Sequence, residues 1–564
     1  MLQELTNAQK GRIAIRSFKT IADSLILRGY YKPSGRSGAT LERALRELSP
    51  EIYGTMNDPR SIELKGLEYV LDRLPRGIEE CTRIVMTALE ELGKTGFEKI
   101  EPPKRRRESY RMNEREMCFV ITKGASEVYD LLTHLTFLNI EANKIYTQMS
   151  DKEGETTFMW KELEQVIEKG EQFKGNELNQ ALWNLSVILG RTYQETKETY
   201  ESLEKTRKES DANNGLFQII YQLGNRVKLE RQHPQNELIF LFTPAFRDLM
   251  GHHHIGRIWA EHVKRQLVEL NLTTRPLHII SANMHSVVNT LFAYSAIKNN
   301  KAGTAAGDFY QFITDCRDHQ DSIIAYALEQ GLHCFSDPSG ANIDFQVIDT
   351  AQLTKIERHP DLSFDTKGFN ADSPVILVVD YAFGDQAFEV MDELLNPLGD
   401  EEQKIKLNVR SISIMGKAGI LPGKKGDIML ATAHVIEGTA NNYIVDNDLS
   451  EADFGDAAAV YTGPILTVLG TSLQNRDLLR KFETTSWKAV GLEMEGGHYQ
   501  RAISAAVIKD HISSDVKIRY AYYASDNPLH SGQTLAYGSM GKEGIRPTYL
   551  ITRVILDKVF RDDR

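Results

Sequence analysis

The chain has 564 residues, a formal net charge of −11, 41% hydrophobic residues and 26% charged ones. That length exceeds one ordinary core and predicts about two to four domains, in a composition typical of soluble globular proteins. The acidic balance excludes a general nucleic-acid binder, which needs cations to neutralise phosphates, and no apolar run is long enough to span a bilayer.

Up to about residue 230 the pattern is helical. Apolar residues recur three and four apart in Ile62 to Leu74, Ile78 to Leu92, Ser126 to Ile145 and Trp160 to Lys169. Breaks at Lys32 to Gly35, Pro102-Pro103 and Asp211 to Gly215 read as turns between helices of an all-α bundle. The basic run Lys104 to Arg107 reads as a solvated connector, with an acidic partner or nucleotide as the alternative. The consecutive His252, His253 and His254 point in different directions on a helix, so they do not form a joint metal site, and no metal or cofactor is expected.

After roughly residue 270 the character changes. Leu277 to Ile280, Phe345 to Ile348, Val375 to Val379, Val409 to Met415 and Ile518 to Tyr523 read as buried strands, with Ala387 to Leu395 and His498 to Ile508 as helices between them. The alternation predicts an α/β domain with a mixed central sheet flanked by helices. The expected domains are therefore 1–270, helical, and 271–564, α/β. Cys81, Cys118, Cys316 and Cys334 are far apart and form no Cys-x-x-Cys pair, which indicates neither zinc nor a disulfide framework. Together with a polar N-terminus at Met1 to Lys10, this predicts a cytoplasmic protein.

The most informative residues are two acids at the ends of two expected strands. Glu495 lies in Leu492 to Gly496, and Asp526 lies in Ala524 to Leu529. Cleavage of a sugar-to-base bond builds positive charge on the sugar and negative charge on the base. It calls for one carboxylate at the ribose and one carboxylic acid to protonate the leaving base. Before the two acids, in order, come Ile414 to Leu421, Gly426-Asp427-Ile428, Ile436 to Tyr443 and Tyr461 to Pro464. Each motif is weak alone and the ordered set is strong. The set resembles the purine nucleoside phosphorylase and uridine phosphorylase superfamily over roughly residues 275 to 560, and within it is most similar to the bacterial AMP nucleosidases.

The resemblance implies a nucleoside phosphorylase-like fold, a purine nucleotide or nucleoside as small-molecule substrate, and a homo-oligomer. It implies Asp526 as the acid that protonates the purine, with a turn cap as the alternative. It places Glu495 on the ribose hydroxyls and Met494 against the sugar, with an exposed helix start as the alternative; Glu493 reads as support. Gly416 to Leu421 reads as an anion-holding turn after a strand, and Lys417 stands where phosphorylases tend to carry Ser or Thr. Its charge suits a substrate 5′-phosphate, against a plain surface lysine. Ser525 and Glu437 join the substrate-binding set with Gly416.

Two departures from the family pattern stand out. Around Tyr381 to Ala387 only Gly384 remains of a Gly-x-Gly, leaving Asp385 as a water-orienting group or a helix cap. Val435 occupies a position where many members have arginine, and Arg476 is the candidate replacement, against a surface arginine. The reading is hydrolysis of the N-ribosidic bond, with AMP giving adenine and ribose 5-phosphate. The alternatives are a phosphorolytic enzyme and a nucleotide sensor without turnover.

Overall fold

The computed structural model of the protein describes residues 5–88, 92–104, 107–151, 153, 155–170, 175–300, 307–399, 405–530 and 540–562. By its contacts the chain divides into one unit of residues 1–252 with 472–478 and a second of 253–471 with 479–564. The helix His254–Glu269 thus belongs with the second unit, packing Trp259, Val263 and Leu267 into its core.

The first unit contains the expected helices Gly124–Met149 and Phe158–Glu168, followed by Asn176–Leu189, Tyr193–Ser210 and Leu216–Gln232. It is not all-α. Among the described residues it also holds a six-stranded sheet of β1 (Tyr30–Tyr31), β2 (Arg83–Thr87), β3 (Glu98–Lys99), β4 (Ser109–Asn113), β5 (Glu116–Val120) and β6 (Ile239–Phe242), in the order β1-β6-β2-β5-β4-β3. The segment Ile78 to Leu92, read above as a helix, begins with a short 3-10 turn and becomes β2. Its backbone is satisfied by parallel pairing with β5 on one side and β6 on the other, which no periodicity within the segment reveals.

The expected solvated basic loop is corrected at Arg107 alone, since Lys104 is exposed. Arg105 and Arg106 lie outside the described residues, but Arg107 is buried, donating from Nη2 to Asp130 Oδ2 at 2.6 Å and from Nη1 to the Arg73 carbonyl at 3.0 Å. Lys104 pairs with Asp72 at 2.5 Å.

The second unit is α/β. Its strands are β7 (Leu277–Ser281), β8 (Leu332–Phe335), β9 (Phe345–Asp349), β10 (Val375–Val379), β11 (Val409–Ile420), β12 (Ile428–Ile436), β13 (Asn442–Ile444), β14 (Val460–Thr467), β15 (Gly491–Glu493) and β16 (Lys517–Asp526). The path is β13-β12-β14-β15-β11-β7-β10-β9-β8, with β16 paired to β11 and β12. β7, β10, β11 and β16 run parallel, and so do β12, β14 and β15, whereas β11 meets β15 antiparallel. β7 and β10 are buried along their whole length, as expected of parallel strands covered on both faces.

Val409 to Gly419 differs from the expected strand and turn. β11 continues through Gly416, Lys417, Ala418 and Gly419 as one twelve-residue strand, pairing Gly416 with Tyr522 and Lys417 with Tyr523 of β16. Glycine in a strand interior reads like a turn in sequence; here the irregularity is a register shift between Ala418 and Gly419.

Among the described residues no helix is long and apolar enough to cross a membrane.

Candidate functional site

The register shift in β11 brings Gly419 opposite Asp526, the last residue of β16, and Gly419 also pairs with Leu492 of β15. One strand therefore carries the two acidic segments on its two sides. β15 ends on Glu493, and the chain leaving it supplies Met494 and Glu495 as the next two residues.

Asp526 is 5% exposed. Its Oδ1 accepts a hydrogen bond from Ser525 Oγ at 2.5 Å, and its Oδ2 has no hydrogen-bond partner among the described residues. Burial raises its pKa to about 6, against the opposing pull of the Ser525 hydroxyl and the Lys417 charge. Asp526 does not cap the following turn. That task falls to Asn527, whose Nδ2 donates to the carbonyls of Leu421 and Gly423 at 2.9 Å each and whose Oδ1 accepts from Leu529 N–H. Among the described residues, Asp526 is thus left with one oxygen uncommitted inside a buried site.

Glu495 is half-buried at the start of the helix Gly496–Ile508 and accepts from Gly384 N–H at 3.0 Å. Gly384 adopts φ 57°, a left-handed conformation that disfavours any side chain, and this turns its N–H toward the carboxylate. Gly384, in the loop after β10, therefore fixes Glu495. Asp385, next in sequence, makes no side-chain cap on the helix Gln386–Leu395.

Glu493 is a scaffold residue. Its carboxylate accepts from the N–H groups of Glu495 (2.6 Å) and Gly496 and from Thr467 Oγ1 (2.6 Å), and His434 Nδ1 stands 3.5 Å away. Burial alone would raise its pKa, but His434 and these donors outweigh it and hold the group below the usual carboxylate range. A Cβ on Gly496 would collide with His434 and the Tyr522 hydroxyl, so the helix start can approach the sheet this closely only with glycine.

Met494 is buried beside these acids in sequence. Glu437 follows β12, is 8% exposed, and accepts a long bond from Leu469 N–H at 3.4 Å; burial raises its pKa to about 7. Gly416 lies against the Tyr381 ring. Lys417 is exposed and, with Tyr381, lines a cavity of about 480 Å³ beside β11.

Arg476 has an acidic partner. Its segment belongs to the first unit, where Nη2 pairs with Glu51 at 3.0 Å. The histidine triplet contributes only His253 to a group of possible metal-ligating side chains among the described residues, with Asp392 and Glu393.

Sequence reasoning missed the loop that follows β7. Asn283 Oδ1 there accepts from the N–H groups of His285 and Ser286, capping the helix Ser286–Asn300, and Asn283 and His285 line the same cavity as Lys417. The available signal was positional: ligand sites of α/β sheets gather at the carboxyl ends of parallel strands, and β7 was readable as such a strand.

A family model described as a family of unknown function, DUF6909, matches residues 39–305 and 305–561, most of the chain. The chain belongs to the DUF6909 family. No curated protein matches it. Solved structures similar to this DUF6909 member include the 5'-methylthioadenosine/S-adenosyl homocysteine nucleosidase of Campylobacter jejuni, at 10% identity and a TM-score of 0.29 over 50% of this chain and 99% of that one. The futalosine hydrolase of Helicobacter pylori is 11% identical with a TM-score of 0.29, covering 51% and 99%. Isoform 2 of uridine phosphorylase from Schistosoma mansoni is 11% identical with a TM-score of 0.27, covering 50% and 89%.

Proposed function

We propose that the second unit hydrolyses the N-ribosidic bond of a purine nucleotide, with AMP as the substrate and adenine and ribose 5-phosphate as the products. The observation that carries this reading is the contrast between two carboxyl groups flanking one strand. Asp526 is buried with a raised pKa and, among the described residues, one oxygen without a hydrogen-bond partner, whereas Glu495 is half-buried and held by a backbone N–H. A carboxyl at about 6 is partly protonated near neutral pH and can serve as an acid.

In this mechanism the C1′–N9 bond breaks as Asp526 passes its proton to N7 of the leaving purine, and a water oxygen bonds to C1′ while one water O–H bond breaks and its proton returns to the Asp526 carboxylate, restoring the acid. Glu495 accepts the ribose hydroxyls and lays its charge near the developing oxocarbenium ion, an effect that costs no reorganisation because Gly384 already holds the group in place. Met494 packs on the sugar and Ser525 orients the acid.

The test is chromatography of the purified protein with AMP, adenosine, IMP and uridine, each with and without inorganic phosphate. Release of adenine from AMP in both conditions supports the proposal. Strict dependence on phosphate would replace hydrolysis with phosphorolysis, and tight nucleotide binding without base release would make the protein a sensor.

A further inference from the structure

We infer that the cavity beside Lys417 is a phosphate subsite in which Arg317 is the principal anchor, so that the enzyme selects nucleotides over nucleosides. The inference rests on the proposed function and names the part of the substrate that function leaves unexplained.

The lining is one-sided in charge. About 480 Å³ in volume, the cavity falls within the range of small-molecule sites, and among the described residues it is lined by two permanent cations, Arg317 and Lys417, and by no carboxylate. Neutral donors complete it, including Asn283, Gln320 and Thr548. In a chain of net charge −11, a cavity walled this way favours an anion. Arg317, in the short 3-10 turn Cys316–His319, is exposed and has no ion-pair partner among the described residues. Its planar fork can bind two phosphate oxygens at once, which an ammonium cannot.

The cavity is also joined to the chemistry. Lys417 faces it while its charge acts on Asp526, and Tyr381 lines it while touching Gly416. Three residues beyond Tyr381, Gly384 holds Glu495. A ribose gripped at Glu495 would extend its 5′ end toward the cationic wall. Burial and the nearby Arg317 charge lower the His285 pKa, which leaves the imidazole neutral as a further hydrogen-bonding group rather than a third cation.

Two sources of phosphate fit this chemistry, a nucleotide 5′-phosphate and free inorganic phosphate, and direct binding separates them. Calorimetry with ribose 5-phosphate, ribose and inorganic phosphate on the full-length wild-type protein is expected to show ribose 5-phosphate binding at least about tenfold tighter than either other ligand, as one charge-assisted contact suffices for that. Arg317→Met should remove most of the preference over ribose, and Arg317→Lys should keep part of it, with unchanged melting temperatures showing that both variants fold. Equal affinity for ribose and ribose 5-phosphate, or an unaltered preference in Arg317→Met, would overturn the inference. Inorganic phosphate binding as tightly as ribose 5-phosphate would overturn the 5′ assignment in favour of a nucleophile site. Because the readout is binding, failure to release a base would count against the proposed function alone.

Discussion

Asp526→Asn separates the catalytic from the structural consequences of a buried acid. A carboxyl with a pKa of about 6 is roughly one-tenth protonated at pH 7, whereas one at the ordinary 3.8 is protonated in less than about one molecule in a thousand. Burial thus raises the population of the acid form by about a hundredfold, and loss of a general acid typically costs at least about that factor in rate. Adenine release by the variant should fall by at least about a hundredfold with little change in KM. The wild-type kcat should decline about tenfold per pH unit above about 7, and the variant should lose that dependence.

Stability should move the other way. The folded-state pKa is raised, so the stabilising contribution of this group is complete below the unfolded pKa of 3.8 and is lost as pH rises through about 6. At pH 7 the loss is on the order of 3 kcal/mol, and at pH 5 about half of that. Asparagine carries no charge and keeps a partner in Ser525, so the variant should melt above the wild type at pH 7, by a margin that shrinks at pH 5. Unchanged turnover would remove Asp526 from the mechanism. A variant that melts lower at pH 7 would show the carboxylate to be a structural anion rather than a desolvated acid.

Further outcomes follow from the same geometry. Glu495→Ala should reduce kcat for adenine release by about a hundredfold or more, as for other losses of preorganised charge stabilisation, and full activity would refute its ribose role. Gly384→Ala forces a side chain into φ 57°, costing about 1 to 2 kcal/mol, and moves the N–H that holds Glu495; calorimetric melts and kcat should both fall, and retention of both would show that the loop does not position the acid. Lys417→Met should lower the ratio of catalytic efficiencies for AMP over adenosine by about tenfold to a hundredfold, and an unchanged ratio would place Lys417 outside phosphate recognition.

What the sequence disclosed follows from which interactions are local. β7 and β10 were legible because strands buried on both faces are short continuous apolar runs, and β16 through the mostly apolar and aromatic stretch Ile518 to Tyr523, shortly after which Asp526 ends the strand. Gly416 to Gly419 was misread because glycine within a strand carries the same local signal as a turn, and only pairing with β16 distinguishes the two. β2 was hidden because Ile78, Cys81 and Ile84 stand three apart, a helical spacing, while the partners that make it a strand lie in β5 and β6. Arg107 was read as solvated, and Arg476 as a candidate anion contact, for the same reason: their acids, Asp130 and Glu51, are remote in sequence. The cavity residue Arg317 sits in a 3-10 turn with no motif around it, and its role emerges only from the walls it shares with Lys417.

The most direct test of the account is the product balance of dialysed wild-type protein acting on AMP in phosphate-free buffer. One adenine and one ribose 5-phosphate are expected for each AMP consumed, at a rate that added phosphate does not increase. No adenine without phosphate, and ribose 1,5-bisphosphate with it, would contradict hydrolysis at the Asp526 and Glu495 centre.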